Sequence, residues 1–335
     1  MIKATLDDWA QLYGHAIRLK NLRPWESLSF LDTISIKMPD RDEMYYVSID
    51  ENPELISIHI LRDSSSYAKF IKTFLKPDYT HEEIFNDICS VDIFTMCIGS
   101  RESVPKSQYN IIKELGLSFR GRMDWVFFLS KRKCYAPADP DKIEVMLLAE
   151  CIEQICNAVE DYNTNKIDVR FDDGFALCRY FDDDEKRWMT IEKQVPIVNA
   201  QSDYYKYENE IQIQRIKKTP YSGESFDIDI TFVQSRIRDT QFERDPIVRL
   251  LVISNRNSGD ILETRIVLPN DDLAELIFEA VFSAIGKTGR PAKIHYTKDI
   301  CEELLDDFCS KTGILLAKEE RLPSIEQFLH SMMFD

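Results

Sequence analysis

The sequence predicts an α+β protein made of two mixed α/β domains. The segment 226–232 alternates apolar and polar side chains, which is typical of a strand with one covered face. From 271 to 285 the apolar residues instead recur every three or four positions, as on one face of a helix. A chain of 335 residues is long enough for two domains. We place their boundary in the polar run Asn-Thr-Asn-Lys at 163–166, which separates an N-terminal domain, 1–165, from a second domain, 166–335.

Caps and breakers delimit the elements of the first domain. Thr5 and Asp8 form a capping-box pattern at the start of the first helix, which ends before Pro24. Gly116 closes a later helix. Further helices are predicted at about 64–75, 80–88, 104–115 and 141–162, and strands at 33–37, 45–49, 55–61, 91–98, 117–119 and 125–129.

A β-meander is predicted to open the second domain, and a mixed core (226–332) follows it. The meander comprises strands at 167–171, 175–181 and 188–192, with further strand near 210–216. The core has strands at 226–232, 247–253 and 261–268, then a helix, a strand at 293–297, a helix at 298–311, a strand at 314–317 and a helix from Ser324. This order, βββ-α-β-α-β-α, is that of ribonuclease-H-like folds, and the short strands joined by one helix should lie parallel.

Composition narrows the classes of function. The net charge is −16, and both halves of the chain are acidic, so nucleic acid is an unlikely partner. The N-terminus lacks a hydrophobic signal region, and no stretch approaches the ~18 apolar residues of a membrane span. The eight cysteines are scattered through predicted helices and strands, as in a reducing compartment. We therefore expect an acidic, soluble, cytoplasmic protein that does not associate with membranes.

The common catalytic motifs are incomplete. Gly286-Lys287-Thr288 lacks the earlier glycine of a phosphate-binding loop and follows a predicted helix, so it is interpreted as a helix end. The cysteines and the five histidines have no zinc-ligand spacing. The acidic runs at 172–173 and 182–185 do not follow the calcium-loop pattern and are interpreted as solvated hairpin turns.

One catalytic hypothesis comes from the topology of the second domain. Ribonuclease-H-like nucleases place carboxylates on the first strand, the first helix, the end of the fourth strand and the last helix, where they hold two metal ions. The residues at comparable places are Asp229 (or Asp227), Glu275 (or Glu279), Asp299 and Glu326. Against this hypothesis, charged residues make up 30% of the chain, so carboxylates fall near any chosen position. Asp227 and Asp229 also suit the solvated face of a strand.

Several short motifs resemble a family of uncharacterised bacterial proteins made of two domains of unknown function. They are Trp9-x-x-Leu12-Tyr13-x-x-Ala16, Pro24-Trp25-Glu26, Phe119-Arg-Gly-Arg122 with Trp125, and Gly289-Arg290-Pro291. The resemblance spans both halves. It implies a bacterial source and supplies no activity or catalytic residue.

These observations favour a non-catalytic binding or scaffolding protein whose partner is a protein or a small ligand. The candidate contact residues are aromatic: Trp25, Tyr204, Tyr205 and Tyr207. The alternatives are a metal-dependent nuclease or phosphodiesterase using the four carboxylates, and a regulatory protein that binds a small ligand. No cofactor is expected except Mg²⁺ or Mn²⁺ under the nuclease hypothesis.

Overall fold

A computed structural model describes residues 2–39, 41–76, 80–195, 204–236 and 241–333. The chain divides into two compact units, Met1–Asn199 and Ala200–Asp335. Both contain helices and a mixed sheet, which confirms the α+β class. Within the ranges described, no helix is both long enough and apolar enough to cross a membrane.

The N-terminal unit is built on a seven-stranded sheet. Its helices are α1 (Leu6–Leu22), α2 (Ser64–Leu75), α3 (His81–Cys89), α4 (Lys106–Glu114) and α5 (Lys142–Asn163). Its strands are β1 (Ile34–Lys37), β2 (Met44–Glu51), β3 (Ile56–Leu61), β4 (Ile93–Gly99), β5 (Trp125–Lys131), β6 (Phe175–Asp182) and β7 (Arg187–Gln194). They are ordered β5-β4-β3-β2-β1-β6-β7.

Helices cover this sheet on both faces. The apolar sides of α1 and α5, with Leu12 and Ile152 fully buried, enclose the main core. A smaller cluster under α2 contains Tyr67 and Phe70. The predicted capping box of α1 is present, since Thr5 Oγ1 accepts the backbone N–H of Asp8 at 3.2 Å.

The hairpin β6–β7 belongs to the N-terminal sheet. β6 pairs in parallel with β1, with Leu177 opposite Ile34, and both side chains are buried in the main core. The chain therefore divides after Asn199 and not after residue 165 as predicted. No strand forms at 117–119 or 167–171, and a 3₁₀ turn at Phe171–Asp173 precedes β6 instead.

The C-terminal unit has a five-stranded sheet. Its helices are α6 (Glu210–Lys218), α7 (Leu273–Thr288), α8 (Asp299–Thr312) and α9 (Pro323–Met333). Its strands are β8 (Ser225–Arg236), β9 (Ile247–Asn255), β10 (Ile261–Val267), β11 (Lys293–Tyr296) and β12 (Leu315–Lys318). The order across the sheet is β10-β9-β8-β11-β12. β8 is antiparallel to β9 and parallel to β11, and β11 is parallel to β12. The predicted element order and the parallel pair are thus confirmed.

The two faces of this sheet carry alternate residues of β8, apolar on one face and polar on the other. Phe226, Ile228 and Ile230 of β8 face the main core, which α7 and α8 cover. The opposite face carries a smaller apolar cluster under α9, with Leu250 and Val252 of β9. Because strand side chains alternate, Asp227 and Asp229 lie on the α9 side.

The segment predicted as a strand near 210–216 is the helix α6. The Asn209 side chain accepts the backbone N–H of Gln212 at 3.1 Å and so caps the helix. Ile213 and Ile216, three residues apart, are the buried positions. This spacing suits one helical face and not a strand.

Candidate functional site

The two aspartates of β8 are the buried carboxylates at the centre of the C-terminal sheet. The exposed fractions of Asp227 and Asp229 are 1% and 7%. The solvated strand face predicted for them is therefore wrong: β8 is the middle strand of the sheet, with β9 on one side and β11 on the other. Buried carboxylates need charge partners, and each of these has one.

Asp227 belongs to a chain of four charged or polar groups, which we call the Asp227 network. Nη1 of Arg256 donates to Oδ1 of Asp227 at 2.8 Å. Nη2 of the same arginine lies 3.8 Å from Oε1 of Glu319. That oxygen also lies 2.6 Å from Nδ1 of His295, and the hydrogen bond from His295 lowers the pKa of the Glu319 carboxyl.

Asp229 is held from the end of β11. Nζ of Lys298 donates to Oδ2 of Asp229 at 2.9 Å, and the hydroxyl of Thr297 donates to Oδ1 at 3.3 Å. Both donors follow the last residue of β11, at the carboxyl end of the strand. Lys298 therefore supplies a positive charge at the carboxylate proposed as the metal ligand of the first strand.

Two of the remaining predicted carboxylates also have a cation as partner. Asp299, the first residue of α8, pairs with Lys318 of β12. Glu326 of α9 accepts from Nε of Arg321 at 3.1 Å, and this arginine lowers the pKa of the Glu326 carboxyl.

The two glutamates of α7 lie away from the aspartates. Glu275 and Glu279 are exposed on a helix that packs against the main core. The sheet lies between that core and the side chains of Asp227 and Asp229. Within the described parts of the chain, no group of three or more His, Cys, Asp or Glu side chains could hold a metal ion.

Ser254 and His295 are too far apart to form a nucleophile–base pair. The Ser254 hydroxyl is buried without a hydrogen-bond partner, and Glu319 orients the ring of His295. Asp227 is the register partner of both Ser254 and His295. They therefore lie two strand spacings apart, about 10 Å, whereas proton transfer needs direct hydrogen-bond contact.

Sequence reasoning missed the partners of the aspartates. Arg256 lies 29 positions from Asp227, and Lys298 lies 69 positions from Asp229. A sequence pattern does not connect residues this far apart. The central position of β8 in the sheet, which was not predicted, is the missing signal, because an aspartate buried there requires a cation from a neighbouring element.

The aromatic residues predicted as contact residues are divided between the core and the surface. Tyr207 is buried and its ring centroid lies 4.4 Å from that of Phe278, whereas Tyr204 and Tyr205 are exposed. Trp25 packs half-buried against the N-terminal core. All eight cysteines are free and buried. Burial raises the thiol pKa of several of them, which is typical of structural cysteines.

Two solved structures of viral integrase proteins show low similarity to the chain. One is the HTLV-2 integrase catalytic core domain with magnesium, at 13% identity and a TM-score of 0.23, over 32% of this chain and 66% of that one. The other is a simian T-cell lymphotropic virus intasome with the PP2A regulatory subunit B56 gamma, at 17% identity and a TM-score of 0.23, over 36% and 44%. The chain thus spans about two thirds of the first and under half of the second. Similarity at this level carries no functional argument.

Family models match both halves of the chain. No curated protein matches it. A model described as a domain of unknown function, DUF7309, matches residues 9–179, just over half of the chain. A second, DUF6930, also described as a domain of unknown function, matches residues 212–333. The predicted resemblance to a family with two such domains is confirmed: the chain belongs to the DUF7309 family and carries a DUF6930 domain in its C-terminal half.

Proposed function

We propose that the protein is a non-catalytic binding or scaffolding protein. The observation that carries this proposal is the pairing of both buried aspartates of β8 with cations of the chain. Arg256 lies 2.8 Å from Asp227, and Lys298 lies 2.9 Å from Asp229.

Metal-dependent hydrolysis of a phosphodiester requires carboxylates that are free to bind divalent ions. A metal ion at Asp229 would have to displace the ammonium group of Lys298, whose side chain is about one quarter exposed (27%). The ammonium group and a metal ion would compete for the same carboxylate, and this competition opposes metal binding at the position where the nuclease hypothesis needs it.

The alternative with a structural argument is the metal-dependent nuclease. Asp229 lies on the first strand of the predicted topology, and Asp299 follows directly after Lys298. Movement of the Lys298 side chain would release Oδ2 of Asp229 from its ion pair. The small-ligand alternative stays a prediction.

Protein partners suit the surface better than polyanions. The net charge of −16 repels nucleic acid except at local basic patches. The exposed side chains of Tyr204 and Tyr205, with exposed fractions of 39% and 41%, present aromatic area of the kind enriched at protein interfaces.

A hydrolysis assay combined with calorimetry tests the proposal. The full chain is titrated with Mn²⁺ and then incubated with single-stranded DNA and with an RNA–DNA hybrid in Mn²⁺ or Mg²⁺. We expect no saturable Mn²⁺ binding and no product above the protein-free blank.

The matched variants are Asp229→Asn and Asp184→Asn, the second in an exposed hairpin turn. Product formation that Asp229→Asn abolishes and Asp184→Asn leaves intact would overturn the proposal and make the nuclease the better conclusion.

A further inference from the structure

The outer face of α6 is an exposed stripe of one apolar, one amide and two basic side chains. It consists of Ile211, Gln214, Arg215 and Lys218, which we call the α6 stripe. Their spacing, i, i+3, i+4 and i+7, places all four on one side of the helix. They line an open depression of about 590 Å³ together with Glu210 and Thr219.

Ile211 is on the side of α6 that faces solvent. Its exposed fraction is 82%, the highest of the large apolar side chains in the described residues. Packing of the helix does not use it, since Ile213 and Ile216 supply the buried face. Tyr221, exposed by 61%, adds a second apolar side chain shortly after the helix ends. Ile211 is therefore available to an apolar side chain of a partner that also contacts the cations of the stripe.

Three cations lie in the last turn of α6 without an acidic partner. They are Arg215, Lys217 and Lys218, and no ion pair joins any of them to a carboxylate among the residues that the structure describes. Other cations of this unit, such as Lys287 and Lys311, are paired. The helix dipole favours cations at this end. The dipole does not account for Ile211 beside them.

We propose that the α6 stripe docks an acidic amphipathic helix of a partner protein. The inference rests on the proposed binding function and names the partner class. Carboxylates of the partner pair with Arg215 and Lys218, and an apolar side chain packs on Ile211. The charge complementarity is local, because the rest of the chain is strongly acidic and repels an acidic partner elsewhere.

Geometry favours a helix in antiparallel orientation. The stripe spans two turns, about 10 Å, which matches the anchor spacing of a helix that lies along a groove. Carboxylates are favoured in the first turn of the partner helix, where its dipole stabilises negative charge. An antiparallel arrangement places that turn opposite the basic last turn of α6. Nucleic acid is repelled by the net charge of the chain.

Fluorescence anisotropy with a labelled peptide tests the docking. The probe is an acidic peptide of about four helical turns, with leucines at helical spacing and glutamates concentrated in its first turns. A scrambled peptide of the same composition has the charge without the amphipathic face. We expect the full chain to bind the first peptide at least about tenfold more tightly than the second.

Substitutions on α6 provide the second readout. The double variant Arg215→Glu and Lys218→Glu should weaken binding by about tenfold or more, and Ile211→Ser by about fivefold. The matched control is Lys72→Glu, an exposed lysine in the last turn of α2, and it should leave binding unchanged. Hydrogen exchange should slow in residues 210–218 when the peptide is bound.

The inference would be overturned by no binding of the amphipathic peptide, by equal binding of the scrambled peptide, or by unchanged binding to the charge-reversed variant. Tighter binding of single-stranded DNA, lost in the same variant, would assign the stripe to polyanions and would also overturn it. The hydrolysis assay with Asp229→Asn is independent of α6. Failure of the docking surface and failure of the proposed function are therefore distinguishable.

Discussion

At the scale of single residues, the Asp229–Lys298 pair decides how the C-terminal sheet tolerates a charge in its interior. Lys298→Ala removes the cation and leaves the Asp229 carboxylate, 7% exposed, without its charge partner. We expect a loss of about 2–3 kcal/mol in the free energy of unfolding of this unit, because among the described residues Thr297 alone remains as donor. Native-state hydrogen exchange of β8 and β11 amides measures it.

The control for this prediction is Lys318→Ala. Its partner, Asp299, is 61% exposed, and such pairs contribute about 0–1 kcal/mol. A double variant, Asp229→Asn with Lys298→Met, should recover part of the stability because it removes both charges. Equal losses for Lys298→Ala and Lys318→Ala would contradict the importance assigned to the buried pair.

A second single-residue prediction concerns pH and His59 of β3. The ring packs against Phe70, and burial lowers its pKa from 6.5 to about 4. The unfolded chain binds the proton more readily between these values, so the contribution of His59 is full above about pH 6.5 and is lost as the pH falls toward 4. We expect about 2 kcal/mol less stability from this group near pH 4.5 than at pH 7.

Tryptophan fluorescence isolates this effect, because all four tryptophans (9, 25, 125 and 188) belong to the N-terminal unit. Urea unfolding at both pH values should show a smaller pH difference in His59→Gln than in the wild type. His81→Gln, at the exposed start of α3, is the matched control. The prediction fails if His59→Gln keeps the full pH dependence.

At the scale of elements, local signals in the sequence account for most helices and strands. The cap of α1, the alternation in β8 and the period change before α7 are each properties of a few neighbouring residues. Segment 210–216 was wrongly predicted as a strand because Ile211 and Ile213 are two positions apart, as apolar residues are on one face of a strand. Its helical state depends on the core contact of Ile213 and Ile216, which is tertiary.

In the candidate site, too, some features follow from the local sequence and others depend on tertiary contacts. The position of Asp229 on the first strand of the C-terminal sheet could be predicted, since it needed only the element order. Its pairing with Lys298 could not, because that contact depends on the parallel register of β8 and β11. The α9 side of the sheet, on which Asp227 lies, is likewise buried by a tertiary contact, the packing of α9 against β9.

The N-terminus of α5 allows a prediction at the element scale. Asp141 accepts the N–H of Glu144 at 3.0 Å in a capping box, and its carboxylate pairs with Arg132 at 2.6 Å. Asp141→Ala should cost about 1–2 kcal/mol, because the longest helix of the main core loses its cap. Asp141→Asn keeps a capping oxygen and should cost less than half as much. Urea unfolding followed by tryptophan fluorescence measures the free energy of unfolding of both variants. Equal losses in the two variants would show that the charge of Asp141, and not its capping oxygen, is what stabilises the helix.

At the scale of the whole molecule, the organisation of the chain depends on where β6 and β7 pair. The polar run at 163–166 looks like a linker in the sequence, yet it only ends α5. After it the chain returns to the first sheet and adds β6 beside β1. The sequence of such a strand does not show which of the two sheets it joins. Its alternation of apolar and polar residues would be the same in either sheet.

This placement predicts how fragments behave. A fragment of residues 1–199 contains the complete seven-stranded sheet and should unfold in one cooperative transition by tryptophan fluorescence. A fragment of residues 1–165 lacks β6, so β1 becomes an edge strand and the main core loses the buried side chain of Leu177. An unpaired, apolar edge promotes association between chains. We expect the shorter fragment to unfold at a lower urea concentration and to aggregate, and equal stability of the two fragments would contradict the assignment of β6 and β7 to the N-terminal unit.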